Sequence, residues 1–167
     1  VISGCASCSS TLKEYDKFLA DTPEREEAYE AFGKKVRGAS EFFFKDLDLD
    51  PTKFKVKSEH RGKKVTWHDP CHLARYQGIR EEPRKLLTAV DGLEYVEMPN
   101  ADRCCGMGGT FTLFHYDTAK GITGKKADGI AATKADLVVT ECPGCIMQIS
   151  DVVAQREMPV KVMHILE

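Results

Sequence analysis

Hydrophobic positions follow two regimes along the 167 residues. In the first they recur at helical spacing. Leu12, Tyr15 and Phe18/Leu19 share one face behind Ser9 or Ser10 as caps. Tyr29, Phe32, Val36 and Phe43 mark the face of a second helix starting at Thr22-Pro23, where Glu24, Glu26 and Glu27 suit the N-terminal dipole. These aromatics read as core. Val1 to Gly4, ahead of both helices, reads as the tail of a strand. From Asp48 to Lys64 the chain is charged and turn-rich, with Asp50-Pro51 and Arg61-Gly62, as a linker or exposed loop would be.

Beyond it, short apolar runs alternate with helical patterns. Lys64 to His68 reads as a strand with Trp67 in the core, and Asp69-Pro70 as the cap of a following helix. Glu81 to Val90 is helical and closes at Asp91-Gly92; Leu93 to Met98 alternates like a strand. A helix over about Thr112 to Thr133 is weakened by Gly121, Gly124 and Gly129. Leu137 to Thr140 reads as a buried strand, Ile146 to Gln155 as a helix and Val160 to Ile165 as a last strand. The pattern predicts an α/β fold with a mainly parallel sheet, flanking helices and an N-terminal helical extension. It divides the chain into a helical segment, 1–50, a linker or loop, 51–63, and an α/β domain, 64–167.

Charge changes this picture little. The 24 Lys+Arg against 26 Asp+Glu leave a net charge of −2, which gives no electrostatic footprint for nucleic acid or an anionic membrane. No targeting peptide and no run long enough to span a bilayer is visible. The expected location is the cytoplasm, free or peripheral at the inner face of the cell membrane. Opening at Val1 without Met, the chain reads as a fragment of something longer. Seven cysteines without a secretory signal favour metal binding or catalysis over a disulfide frame.

Cys104-Cys105-Gly106-Met107-Gly108-Gly109 is the stretch with most chemistry in it. Adjacent cysteines do not bond to each other without strain, and the glycines let backbone N–H groups converge as an anion-binding nest does. Two thiolates beside a nest suggest a metal-sulfur site. Cys5, Cys71, Cys104 and Cys142 each follow a predicted strand, so all four should emerge at the carboxyl edge of the sheet. Cys71 and Cys145 fall near helix N-termini, where the dipole favours the thiolate. Two alternatives stay open at this point. Cys142-Pro-Gly-Cys145 could be a thioredoxin-type redox pair, and zinc could use four of the thiolates, or His72 with three of them. His68 and His72 flank the site, either tuning it and relaying protons or simply capping and packing. Lys125-Lys126, Arg80 and Arg84 could bind an anionic substrate or a partner, but solvated surface is the better reading. His60, His115 and His164 carry no usable pattern.

The full spacing, C-x32-C-C-x36-C-x-x-C, together with His68-Asp-Pro-Cys71-His72, Cys104-Cys-Gly106 and Cys142-Pro-Gly-Cys145, resembles the CCG, or cysteine-rich, domain. That domain occurs in heterodisulfide reductases and in the iron-sulfur subunits of glycolate and lactate oxidases. The resemblance implies that Cys71, Cys104, Cys105, Cys142 and Cys145 hold an iron-sulfur cluster of 4Fe-4S type, non-cubane in the heterodisulfide reductase branch. Five ligands exceed what a simple cubane needs, which fits bridging thiolates. His68, His72, Gly106, Gly108 and Gly109 would then surround it. The implied role is electron transfer within a 2-hydroxy acid oxidase, with flavin-containing or other redox subunits as partners. The alternatives are disulfide cleavage at the cluster, with Tyr76, Gly78 and Met107 lining a cleft, and a zinc-stabilised docking domain. Val1-Ile-Ser-Gly-Cys5-Ala-Ser-Cys8 and Val138-Val-Thr-Glu-Cys142-Pro-Gly-Cys145 share one layout of strand, C-x-x-C, then helix. Family members commonly carry tandem copies, so Cys5 and Cys8 are expected to close a first copy and to belong to a second site, apart from the other five.

Overall fold

A computed structural model describes residues 1–167. It opens with a parallel strand pair, β1 (Ile2–Ser3) and β2 (Arg37–Gly38), joined through α1 (Ala6–Lys13), α2 (Tyr15–Leu19) and α3 (Pro23–Gly33). Thr22 caps α3 by accepting the Arg25 N–H, and Pro23 fills its first turn. The helix stops at Gly33, where a Cβ would lie 2.6 Å from the Lys13 carbonyl oxygen. Val36 and Phe43 therefore leave its face, contrary to the periodicity. Tyr29 and Phe32 are not core. Both pack on Tyr15, with ring centroids 6.4 and 5.9 Å away, and form a satellite cluster because the α2–α3 hairpin has water on its other side. Val36 alone of the four is fully buried. A short α4 (Ala39–Glu41) runs into a π-turn over Phe42–Asp46.

Four parallel strands form the second sheet: β3 (Lys63–Trp67), β4 (Leu93–Tyr95), β5 (Leu137–Thr140) and β6 (Lys161–His164). Between them lie α5 (Cys71–Ala74), α6 (Glu81–Ala89), α7 (Phe111–Phe114), α8 (Tyr116–Thr133) and α9 (Pro143–Gln155). The strand order is β4-β3-β5-β6. The chain thus moves outward from β3 to β4, then crosses back over β3 to begin again at β5. Between β3 and β5 the winding reverses, and a crevice opens there beyond the carboxyl ends of the strands. Val65, Trp67 and Leu137 to Val139 are buried because helices cover both faces, which is why these strands read as continuous apolar runs.

Three details depart from the sequence pattern. β4 ends at Tyr95 rather than Met98. The helix expected over 112–133 breaks at His115 (φ −134°, ψ 47°), not at a glycine. Gly129 instead lets α8 come close to the loop after β4, since a Cβ there would sit 3.0 Å from the Pro99 carbonyl oxygen. Finally, Asp69 does not cap α5. It accepts the Trp67 indole N–H at 2.7 Å and a two-pronged pair from Arg84 at 2.9 and 2.8 Å, while Arg84 also pairs with Glu97. Arg84 is therefore a structural clamp between α6 and the end of β3 and not solvated surface.

Burial alone would raise the acid constant of Asp69, but the bonds from Arg84 and Trp67 outweigh it and hold the carboxyl below its usual range. The stabilisation is then complete above the ordinary carboxylate value of 3.8 and fades as pH falls below it. Asp69→Asn should cost about 2 kcal/mol at neutral pH by removing one of the two carboxylates that Arg84 pairs with, Glu97 remaining, and should flatten the acid limb of the stability curve. Urea unfolding of both proteins between neutral and acid pH measures this.

Candidate metal centre

β3 and β5 deliver their cysteines to the two sides of the crevice. Cys71 is the first residue of α5, Cys142 is the N-cap of α9, and Cys145 lies in the first turn of α9. The loop after β4 brings Cys104 and Cys105 across the opening. Cys105 and Cys145 Sγ are 3.3 Å apart, and the donor atoms of His68, Cys105 and Cys145 all lie within 4.8 Å of one another. Cys71 sits in the field of Cys105 and Cys142. The five thiols that the spacing singled out thus share one crevice, and all seven cysteines are free.

Cys5 belongs there as well. Its thiol bonds to Cys142, and Ser7 Oγ lies 3.6 Å from Cys142 Sγ. Cys5, expected with Cys8 in a crevice of their own, is thus placed beside Cys142. The tie is Glu141, fully buried immediately before Cys142. Its carbonyl accepts the Ala6 N–H at 2.8 Å, and its carboxylate accepts the Ser40 N–H at 3.1 Å and the Ser40 hydroxyl. Gln77 adds donation to the Ala6 and His72 carbonyls at 3.0 and 2.9 Å. The N-terminal segment is thereby held against the start of α9. Cys8 stays exposed, its N–H donating to Cys5 Sγ at 3.4 Å.

The crowding governs protonation. Cys105, hydrogen-bonded to Cys104 and then to Cys145, is held well below the usual thiol range; Cys142, bonded to Cys145 and Cys5, is likewise held low. Their partners Cys145, Cys104 and Cys5 are pushed up by the same bonds, and burial raises Cys71. Helix dipoles alone would place the thiolates at Cys71 and Cys145. Neighbouring thiols outweigh that effect here, and α5 is too short, at 4 residues, to contribute much. A bound metal would take up the remaining sulfurs by displacing their protons.

α8 and α9 support the Cys104-Cys105 loop from behind. Thr123 Oγ1 lies 2.7 Å from the Cys105 carbonyl and accepts from Gln148 Nε2 at 2.9 Å, while Thr112 donates to Gln148 Oε1 at 2.8 Å. One turn on, Lys126 Nζ donates to the Asn100 and Ala101 carbonyls at 2.9 Å each. Thr112, Thr123 and Gln148 do not stand out as functional in the sequence, and Lys126 reads there as surface. The one trace of Thr123 and Lys126 is the period of α8, where they share the buried face of Ala119, Ala127 and Ile130. The glycines divide their roles. Gly106 sends its N–H to Cys104 Sγ at 3.3 Å, at φ +94°, with no room for a side chain. Gly108 and Gly109 turn the chain into α7 at φ +53° and +60°. Met107 packs over Gly144, and exposed Tyr76 stacks on His72 with centroids 4.8 Å apart. Those residues form the rim, Gly78 turns the chain beyond it at φ +68°, and His68 rather than His72 meets the thiols.

The residues fit a metal-sulfur group. Six thiols touch or face one another in a half-buried crevice. His68 is 1% exposed beside two of them, and its ring nitrogens face sulfur with no oxygen or nitrogen partner. A buried imidazole facing only sulfur, and thiols crowded so that few can ionise, form a donor set that a metal cation would satisfy.

The fold and this crevice define a cysteine-rich α/β domain with its chemistry at the switch point of a parallel sheet. Residues 65–150 match the CCG cysteine-rich domain, and the chain belongs to that family. It is 34% identical over 167 residues to lactate utilization protein A of Lysinibacillus sphaericus and covers 71% of that protein. With the Bacillus subtilis protein of the same name the identity is 30%, covering 68%. It is also 36% identical over 169 residues to a subunit of the fumarate reductase (CoM/CoB) of Methanothermobacter marburgensis, spanning 31% of that longer chain. No helix is long and apolar enough to cross a membrane.

At Gly106 an added Cβ would sit 2.5 Å from Thr123 Oγ1 and 2.7 Å from the Ala119 carbonyl. Gly106→Ala should therefore cost about 3 kcal/mol, combining strain with overpacking. Gly109→Ala, where nothing lies within 4 Å, should cost only the left-handed backbone term of about 1 kcal/mol. Parallel denaturation curves separate the two.

Proposed function

We propose that the chain is an iron-sulfur redox domain in which Cys71, Cys104, Cys105, Cys142 and Cys145 hold one cluster of 4Fe-4S type. The observation that carries this reading is the convergence of these thiols, with Cys105 and Cys145 in contact and the buried ring of His68 facing them. Bound there, the cluster supplies one-electron transfer. The protein's share is to present thiolates, exclude water on the Cys105 and Cys145 side and leave Cys104 exposed toward a partner. Kinship with lactate utilization protein A supports a place in oxidation of a 2-hydroxy acid such as lactate, receiving electrons from a flavin-containing subunit. Such a domain would work in the cytoplasm or at the inner face of the membrane.

A second reading has its own support. Cys104 is exposed, Met107 and Tyr76 form a rim around the opening, and one relative is named for CoM/CoB chemistry. Under it, a disulfide substrate would enter past that rim and be cleaved at the cluster.

Anaerobic reconstitution followed by iron and acid-labile sulfide analysis and paramagnetic resonance tests the shared claim. The parent should take up both elements. Cys71→Ser and Cys105→Ala should lose them while keeping the parent's circular dichroism, because the core rests on Val65, Trp67 and Leu137 to Val139 rather than on metal. Cys8→Ser should load like the parent, as Cys8 reaches only Cys5. Zinc alone in the reconstituted parent would refute the reading in favour of a structural site.

A further inference from the structure

We propose that Lys126 is the fixed positive charge of the thiol site and sets the reduction potential of the cluster held there. The inference rests on the iron-sulfur reading above and goes further, to the residue that balances its charge.

Lys126 is the one lysine or arginine in the buried set, at 1% exposure. Burying an ammonium group costs several kcal/mol unless anionic charge compensates it. No carboxylate lies within ion-pair distance. Its Nζ bonds to two neutral carbonyls, Asn100 and Ala101, and touches Met98 Sδ at 3.8 Å. The nearby acids are engaged elsewhere: Asp69 with Arg84, and Asp102 facing Arg75 and Arg80 at 3.9 and 4.0 Å. Of the thiols facing this side of the loop, Cys105 is the one held as a thiolate, and its charge acts on Lys126. The counter-charge of this buried cation is therefore the Cys105 thiolate, farther along the loop whose Asn100 and Ala101 carbonyls Lys126 holds.

Burial lowers the Lys126 acid constant to about 8, so the group still carries its proton at neutral pH. Five thiolates around one cluster make a strongly anionic assembly, and one-electron reduction adds another negative charge with no proton to offset it. A fixed ammonium in a low-dielectric interior stabilises the reduced form more than the oxidised form. Removing it should make reduction harder. Arg80, Arg84 and Lys125 cannot replace it: Arg80 and Lys125 are exposed, and Arg84 is committed to two carboxylates.

The test is a redox titration of anaerobically reconstituted protein with dithionite and viologen mediators, read by paramagnetic resonance. Lys126→Gln and Lys126→Met should take up as much iron and sulfide as the parent, with the midpoint shifted to more negative potential. Lys126→Arg should stay with the parent. An unshifted midpoint in loaded Lys126→Gln and Lys126→Met would overturn the inference. So would loss of the cluster in all three variants, which would mark Lys126 as a prop for the loop and nothing more. If the parent itself takes up no iron, the iron-sulfur reading fails, and this inference fails with it.

Discussion

Several thiols occupy a crevice where they cannot all be ionised without a cation, and this electrostatic conflict shapes what surrounds them. Cys105 and Cys142 hold their charge by sharing protons with Cys104, Cys145 and Cys5. Protein interiors do not gather sulfur in this way for packing alone, since an apolar side chain of similar volume would be less costly. Thr123, Gln148 and Glu141 brace the segments that carry these thiols against their repulsion. The sheet order supplies the place, because the reversal between β3 and β5 leaves an opening that no crossover helix fills.

The same crevice joins the two ends of the chain. β1, Cys5-x-x-Cys8 and α1 reproduce β5, Cys142-x-x-Cys145 and α9, down to a cysteine as N-cap and a parallel partner strand afterwards. Glu141 fastens one unit to the other through Ala6 and Ser40. Its carboxyl is pushed up by burial, and the Ser40 bonds recover only part of that cost. The N-terminal C-x-x-C thereby becomes a wall of the same crevice.

Much of the fold was legible because its signals are local. Leu137 to Val139 is apolar on every residue, as a doubly covered strand is, and Thr22-Pro23 supplies a helix cap and first turn. The convergence of Cys71, Cys104 and Cys142 followed from placing each after a strand in a parallel sheet. What stayed hidden depends on tertiary contact. Lys125 and Lys126 look alike in sequence, but a rotation of about 100° along α8 puts one in water and the other under the cysteine loop. Cys5 meets Cys142 only because a buried glutamate ties the two helix starts, and no spacing rule encodes that tie. The dipole expected at Cys71 is weak because the helix there is a single turn.

Native mass spectrometry of the anaerobically reconstituted chain weighs what the one crevice holds. The convergence of five thiols predicts a single added mass, equal to one iron-sulfur cluster, retained in Cys8→Ser and missing in Cys71→Ser. A chain carrying only one zinc ion, or one whose added mass survives Cys71→Ser, would contradict it.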